Sequence, residues 1–258
     1  MENFKKLYFL SSFKFFIFVC LVTFFLFKFL DIFLFKLSRS SPALLFDFFK
    51  NIIDPISDIF DPFNLIVVSG VFLILNLKIK LILKNKEKLK ILKTKTDLTL
   101  DEILKLFQYL SLVCKHFILS LVLAGVMCNV LKYIIGVSRP KYFFLQGYDR
   151  INFFNIEHKV NSFPSGHTQA AFTIAVLMII YANRFFLQIM IIASLMGLSR
   201  IFMSMHFPSD LVAGAYLGAL VPYILYKHFY EEKIESIKKN YNISFKDLVR
   251  LIYWRFYI

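Results

Sequence analysis

The sequence predicts an all-α protein, an integral membrane bundle of six transmembrane helices. Hydrophobic residues make up 58% of the 258 residues, and the mean hydropathy is +0.64; soluble domains typically contain about 45–50% apolar residues. The apolar residues also form six runs near the length of about 20 residues that a helix needs to cross the hydrocarbon layer. The predicted spans are Phe15 to Phe35, Phe63 to Leu83, Phe107 to Leu131, Thr168 to Tyr181, Phe185 to Met205 and Pro208 to Tyr226.

The first span follows Lys5, Lys6 and Lys14 and superficially resembles a secretory signal peptide. Its apolar run is too long for a signal peptide and ends without a small-residue cleavage pattern, so we predict a retained helix. Lys28 and Asp31 lie near the far end of this span, where the membrane interface lowers the cost of a charge.

The other spans are assigned by the same length criterion, and the last three follow one another with short connections. Small residues recur four positions apart within the spans, a spacing that lets helices approach closely. The pairs are Ala124 and Cys128, Ala171 and Ala175, Ala193 and Gly197, and Gly214 and Gly218. We predict helix contacts at these pairs.

The formal net charge of +14 is concentrated between the apolar runs. Lysines dominate residues 84–105, after the second span, and basic residues recur through 227–255; such segments belong in the cytoplasm. An even number of spans then places both termini in the cytoplasm and turns the connections after spans one, three and five outward. Because no separate basic domain remains, nucleic acid is not expected as a partner.

We treat residues 1–258 as a single membrane domain, with its polar motifs at 132–218 and a cytoplasmic tail at 227–258. Apolar residues at helical spacing in this tail fit an amphipathic helix on the inner membrane surface, and a frayed tail is the alternative. Cys20, Cys114 and Cys128 all lie in apolar runs, so they indicate neither a disulfide framework nor a metal site.

Two cations mark the connection after the third span. Lys132 and Arg139 are seven residues apart, so a helix ending at Pro140 would place both on one face. An arginine fork matches phosphate oxygens and a lysine supplies a point charge, so the pair can bind one anion.

The same connection ends in Pro164-Ser165-Gly166-His167, directly before the fourth span. Backbone N–H groups at a helix amino terminus favour an anion. Ser165 can cap the helix or donate to a phosphate oxygen. The imidazole of His167 has a pKa range that suits proton donation to a leaving oxygen.

The third motif follows the fifth span, with Arg200, His206 and Asp210. Arg200 adds a cation. His206 and Asp210 are four residues apart, so we expect the carboxylate to accept a hydrogen bond from one ring nitrogen and leave the other free to attack. Together the three motifs predict a phosphate site on the outer side of the membrane.

These motifs resemble those of the type 2 phosphatidic acid phosphatase family, which also includes vanadium-dependent haloperoxidases. The resemblance runs from Lys132 to Gly218 and is specific, since the three motifs occur in the family's order and spacing. The six-span layout is similar to that of bacterial membrane members of the family.

The resemblance implies that His206 is the nucleophile, that Asp210 orients it and that His167 protonates the leaving group. Lys132, Arg139, Ser165, Gly166 and Arg200 would bind the phosphoryl oxygens. The family mechanism implies a phosphohistidine intermediate and no metal or other cofactor. The expected partners are a phosphorylated lipid and the bilayer itself; the sequence does not indicate an oligomeric state.

Several lipids fit this interpretation: lipid A phosphate, undecaprenyl diphosphate, phosphatidylglycerol phosphate and phosphatidic acid. The motifs faintly resemble those of lipid A phosphatases. A vanadate peroxidase fits the site but not its membrane setting, and a lipid carrier or scramblase that retains an anion site is the alternative from another class. The aromatic-rich segment 141–162 fits a lid or head-group reader, or an interfacial aromatic belt.

Overall fold

The computed structural model describes residues 6–59, 62–77, 84–182, 184–241 and 243–257. Within these ranges the chain is helical, and the extended pairing consists of one isolated bridge between Val137 and Ile151. The predicted all-α class is therefore confirmed.

Four helices in the described ranges are long and apolar enough to cross a membrane: Phe13–Arg39, Ala43–Leu75, Leu100–Ile135 and Pro208–Asn240. Two shorter apolar helices, Gly166–Ala182 and Phe186–Phe202, have 17 residues each. At 1.5 Å per residue each is about 26 Å long, close to the hydrocarbon thickness of about 30 Å. A helical membrane protein is supported, and the count of six spans stays a prediction.

The chain divides into two compact units, and the first comprises Met1–Leu65 and Leu119–Ile224. Its helices are α1 (Phe13–Arg39, with a π turn at Leu26–Leu30), α2 (Ala43–Phe48), α3 (Asp54–Ile59), the end of α6 (Leu100–Ile135), α7 (Pro140–Gln146), α8 (Gly166–Ala182), α9 (Phe186–Phe202) and α10 (Pro208–Leu225). This unit contains all the residues of the three polar motifs.

Close contact between α8 and α10 holds two of the motif segments together. A Cβ added to Gly214 would lie 2.5 Å from the carbonyl oxygen of Ser165, and one added to Gly218 would lie 2.1 Å from that of Gln169. The Thr173 hydroxyl also donates to the Gly218 carbonyl oxygen at 3.0 Å. The predicted contact at Gly214 and Gly218 is confirmed, since only glycine permits this approach.

The second unit comprises Ile66–Ile118 and Leu225–Ile258. It contains most of α4 (Pro62–Leu77), α5 (Lys86–Thr96), the first half of α6, α11 (Glu231–Asn240) and α12 (Phe245–Tyr257). Its apolar core is formed by Leu92, Ile103, Leu106, Phe107 and Leu251, with Leu248 and Trp254 against it.

The predicted span limits differ from the helices in three places. The connection after span one is largely helical, since α2, a π turn and α3 follow one another from Ala43 to Ile59. The predicted end of span two, 78–83, and Asn183 lie outside the described residues. The helix of the sixth span continues beyond Tyr226 to Asn240, and α12 buries Leu251 against protein while Phe245 stays exposed.

Candidate active site

The predicted nucleophile lies in the connection between α9 and α10. His206 lies two residues before Pro208, the first residue of α10, and its side chain is 3% exposed. Asp210 lies in the first turn of α10 and is fully buried. Because His206 lies outside the helix, the two side chains are not brought together by helical i, i+4 spacing.

The ring and the carboxylate are close but do not make the direct hydrogen bond that the sequence predicts. His206 Nδ1 and Asp210 Oδ2 are 3.6 Å apart. The Ser162 hydroxyl contacts both groups, donating to Asp210 Oδ2 at 2.5 Å and lying 3.3 Å from His206 Nδ1. Asp210 Oδ2 also accepts from the Phe207 N–H at 2.7 Å, which ties the carboxylate to the residue after the histidine.

The predicted cations come from three separate elements, and all three side chains are buried. Lys132 lies in the last turn of α6, Arg200 lies in the last turn of α9, and Arg139 directly precedes α7. The expected helix through Lys132 and Arg139 is wrong. Gly136 adopts a φ of +61° after α6 ends at Ile135, and Pro140 begins the next helix rather than ending the previous one.

Lys132 nevertheless faces the amino terminus of α8. Its Nζ donates to the Asn161 carbonyl oxygen at 3.2 Å, and a Cβ added to Gly166 would lie 3.6 Å from the same Nζ. Gly166 is the first residue of α8, where the backbone N–H groups have no partners within the helix. A lysine and a helix amino terminus therefore adjoin each other at this point.

Ser165 caps α8. Its hydroxyl oxygen accepts from the Thr168 N–H at 3.4 Å and from the Thr168 hydroxyl at 2.9 Å. Its own N–H donates to the Asp210 carbonyl oxygen at 2.9 Å, which holds the second and third motifs together. His167, the next residue but one, is exposed.

Two buried guanidinium groups retain unused donors. Arg139 Nε and Arg200 Nε have no hydrogen-bond partner among the described residues. Arg139 contacts Met205 Sδ through Nη1, and Arg200 donates through Nη1 to Asp54. Buried donors of this kind normally find partners, so both arginines have capacity to bind an anion.

The electrostatics of the site act on the histidine. Burial holds the pKa of His206 well below its usual range, and repulsion by Lys132, Arg139, Arg200 and His167 lowers this pKa further. The imidazole is therefore neutral at physiological pH, as a nitrogen nucleophile requires.

Three supporting residues were not predicted as part of the site. Asp54, at the start of α3, pairs with Arg200, and Ser162 contacts His206 and Asp210. Asp31, predicted at the interface, is instead buried and accepts from both the N–H and the hydroxyl of Ser209 at the start of α10. A charged residue within an apolar run was the one sequence signal for this role.

Arg150 completes this support next to the nucleophile. Its guanidinium pairs with Asp31 and lies 3.5 Å from the centroid of the Phe207 ring. Through its pairing with Asp31, Arg150 also links the segment 141–162 to α1, so this segment supplies a residue that supports the site. Burial lowers the pKa of Arg150, but the attraction of Asp210 and Asp31 opposes this effect.

The stretch of chain that carries the three motifs is similar to known proteins. A model of the PAP2 superfamily matches residues 114–234. A lipid A 1-phosphatase of Rhizobium johnstonii is 29% identical over 111 residues, which are 43% of this chain and 46% of that protein. The bacitracin transport permease protein BcrC of Bacillus licheniformis is 35% identical over 100 residues, 38% of this chain and 49% of that protein.

A lipid A 1-phosphatase of Porphyromonas gingivalis is 35% identical over 107 residues, which are 40% of this chain and 21% of that protein. The chain thus spans about half the length, or less, of these curated relatives. No solved structure matches it significantly. Residues 114–234, which contain all three polar motifs, therefore match the PAP2 superfamily, the phosphatidic acid phosphatase type 2 family that the sequence resembles.

Proposed function

We propose that this protein is a membrane lipid phosphate phosphatase, a metal-independent hydrolase that works through a phosphohistidine. The observation that carries the proposal is a buried imidazole with three buried cations near enough to lower its pKa. Lys132, Arg139 and Arg200 all act on the charge of His206, and two of them hold unpaired Nε donors. Three positive charges match a phosphate group, whose transfer depends on neutralising negative oxygens.

In the proposed reaction, Nε2 of His206 attacks phosphorus and the bond from phosphorus to the leaving oxygen breaks. His167 donates a proton to that oxygen, and the product leaves as an alcohol or a shortened phosphate. Water then attacks the phosphohistidine, His167 takes the water's proton, and inorganic phosphate leaves with the ring restored. The cations and the N–H groups at the start of α8 bind the phosphoryl oxygens throughout, with Ser165 holding that helix end in place.

We further propose that all six apolar helices span the membrane, with both termini in the cytoplasm and the site on the outer side. The basic segments 84–105 and 227–255 support this orientation. A lipid could then enter from the outer leaflet with its phosphate at the membrane depth where α8 begins and α9 ends. The tail helix α12 would lie at the inner surface, where Phe245 and Val249 are exposed.

The leading substrate candidate is a phosphomonoester of the lipid A type, because two of the reported relatives are named lipid A 1-phosphatases. Undecaprenyl diphosphate, phosphatidylglycerol phosphate and phosphatidic acid have the same phosphate chemistry. They form the other arms of the test.

The test is phosphate release by the purified protein from a panel of these four lipids in mixed micelles. We expect release from at least one lipid by the parent and a loss of at least about 1,000-fold in His206→Ala, because removing a nucleophile abolishes its covalent route. His228→Ala, which removes an exposed histidine of the second unit, is the matched control and should keep parental rates. Equal release by the parent and His206→Ala would overturn the mechanism; lipid transfer without any release would favour a carrier.

A further inference from the structure

A serine hydroxyl lies between the nucleophile and its carboxylate. Ser162 is fully buried, and its Oγ donates to Asp210 Oδ2 at 2.5 Å and lies 3.3 Å from His206 Nδ1. The ring nitrogen and the carboxylate are 3.6 Å apart, beyond hydrogen-bond distance. The shortest hydrogen-bonded path between the two groups therefore passes through Ser162.

The chemistry of the three groups gives each hydrogen bond a direction. An ionised carboxylate only accepts, so Ser162 donates its one proton to Asp210. The Met205 carbonyl oxygen, at 3.3 Å, is the more distant acceptor for that proton. With its proton committed, Oγ can only accept from the ring, and this contact requires a proton on Nδ1 of His206.

We propose that Ser162 is a positioning residue that links His206 Nδ1–H to Asp210 and so presents Nε2 as the nucleophilic nitrogen. The inference rests on the proposed function and adds a residue to it. Ser162 does not touch the phosphoryl group in this role. When Nε2 bonds to phosphorus the ring becomes positive and keeps its proton on Nδ1. The buried carboxylate then stabilises this charge through the hydroxyl, with no proton transferred.

The position of Ser162 is itself well defined. The Ser162 N–H donates to the Val137 carbonyl oxygen at 2.8 Å, and Ser165, three residues on, donates from its N–H to the Asp210 carbonyl oxygen. The backbone on both sides of the hydroxyl is therefore held in place, which is what an orienting group needs.

The first test is steady-state kinetics of Ser162→Ala on the best lipid of the panel. We expect kcat to fall about 10- to 100-fold, by analogy with the loss of hydrogen-bond partners that orient metal-binding histidines, while KM changes less than about threefold. Ser162→Thr keeps the hydroxyl and should recover most of kcat. Ser120→Ala, at a buried serine of α6 whose hydroxyl has no partner among the described residues, should match the parent.

A double-variant cycle separates positioning from a structural role. If Ser162 acts through Asp210, adding Ser162→Ala to Asp210→Asn should lower single-turnover rates by less than about twofold. A serine that only supports the fold would lower the rate by the same factor in both backgrounds. Each variant is scored by its Tm in detergent, and Ser162→Cys replaces Ser162→Ala if the latter unfolds.

An unchanged kcat in Ser162→Ala, or losses that multiply in the double variant, would overturn the inference. In either case the parent would still release phosphate in a His206-dependent way. Failure of the proposed function is distinct, because the parent itself would then release none, or His206→Ala would release as much.

Discussion

His206 has to satisfy two requirements that the same neighbours create. Burial disfavours a proton on the ring, and the cations that would bind a phosphoryl group repel that proton further, so the pKa of His206 lies well below its usual range. A neutral imidazole keeps the lone pair that attack on phosphorus needs. Binding and activation therefore come from one set of charges.

A pH profile follows from this arrangement. In the parent, His206 should stay neutral and activity should persist as the pH falls below about 6.5, the ordinary pKa of histidine. Arg139→Gln removes one of the charges that repel the proton, so the acid limb of kcat/KM should move to higher pH in this variant. Arg139→Lys keeps the charge and should leave the limb in place. The second ionisation of the phosphate substrate is common to all three enzymes, so it cancels in the comparison.

The lowered pKa of His206 also makes stability depend on pH, in the opposite direction to a histidine whose pKa is raised by pairing with a carboxylate. Because the folded state resists protonation of His206, the unfolded state binds more protons below a pH of about 6.5, and this residue's contribution to stability falls as the pH falls through that value.

For the pH profile, an acid limb of kcat/KM that stays in place in Arg139→Gln would contradict the electrostatic account.

At the scale of elements, the backbone that carries the predicted site residues differs from the one that the sequence predicts. The polar motifs stand out because ionisable residues are rare in apolar runs, as with Lys132, Arg200 and His206. The helix expected through Arg139 was wrong, because Gly136 ends α6 four residues after Lys132. Helix limits depend on single turn residues whose conformation local patterns do not determine.

The supporting residues were missed for a different reason. Asp31 contacts Ser209, 178 positions away in sequence, and Asp54 contacts Arg200, 146 positions away. Contacts at such separation depend on how α1 and α3 pack on α9 and α10, which one sequence does not show. Ser162 ends the aromatic-rich segment 141–162, and nothing in its spacing distinguishes it from an ordinary turn serine.

Packing of α10 on α8 gives a prediction at the same scale. A Cβ at Gly218 would lie 2.1 Å from the Gln169 carbonyl oxygen, so Gly218→Ala must push the helices apart and should cost about 1–3 kcal/mol. The readout is Tm in detergent together with kcat, because α8 and α10 carry Ser165 and Asp210. Gly125→Ala is the control in α6, where an added Cβ meets no atom within 4 Å and alanine favours the helix. If the Tm of Gly218→Ala equals or exceeds that of Gly125→Ala, the contact between Gly218 and Gln169 does not limit how closely α8 and α10 pack.

For the whole molecule, the proposed spanning of the membrane by the short helices α8 and α9 would place the site near the membrane boundary. Each has 17 residues, at the lower end of what spans a bilayer, and each has a motif at one end: Gly166 begins α8 and Arg200 lies in the last turn of α9. A charged site at the ends of short helices meets lipid phosphates without burying unpaired charge in the hydrocarbon layer. Asn183 lies between α8 and α9 in the sequence. If both helices span the membrane, the start of α8 and the end of α9, which carry the motifs, lie on the side opposite Asn183.

Topology is therefore the decisive whole-molecule prediction. A reporter that is active only outside the cytoplasm, inserted at Asn183, should be inactive, because the neighbouring Arg184 and the basic segments elsewhere favour the inner side. The same reporter at Gly147, an exposed residue after α7 in the segment that carries Arg139 and Ser165, should be active. An active reporter at Asn183 with an inactive one at Gly147 would invert the topology and place the cations on the cytoplasmic face, where the enzyme would meet inner-leaflet lipids instead.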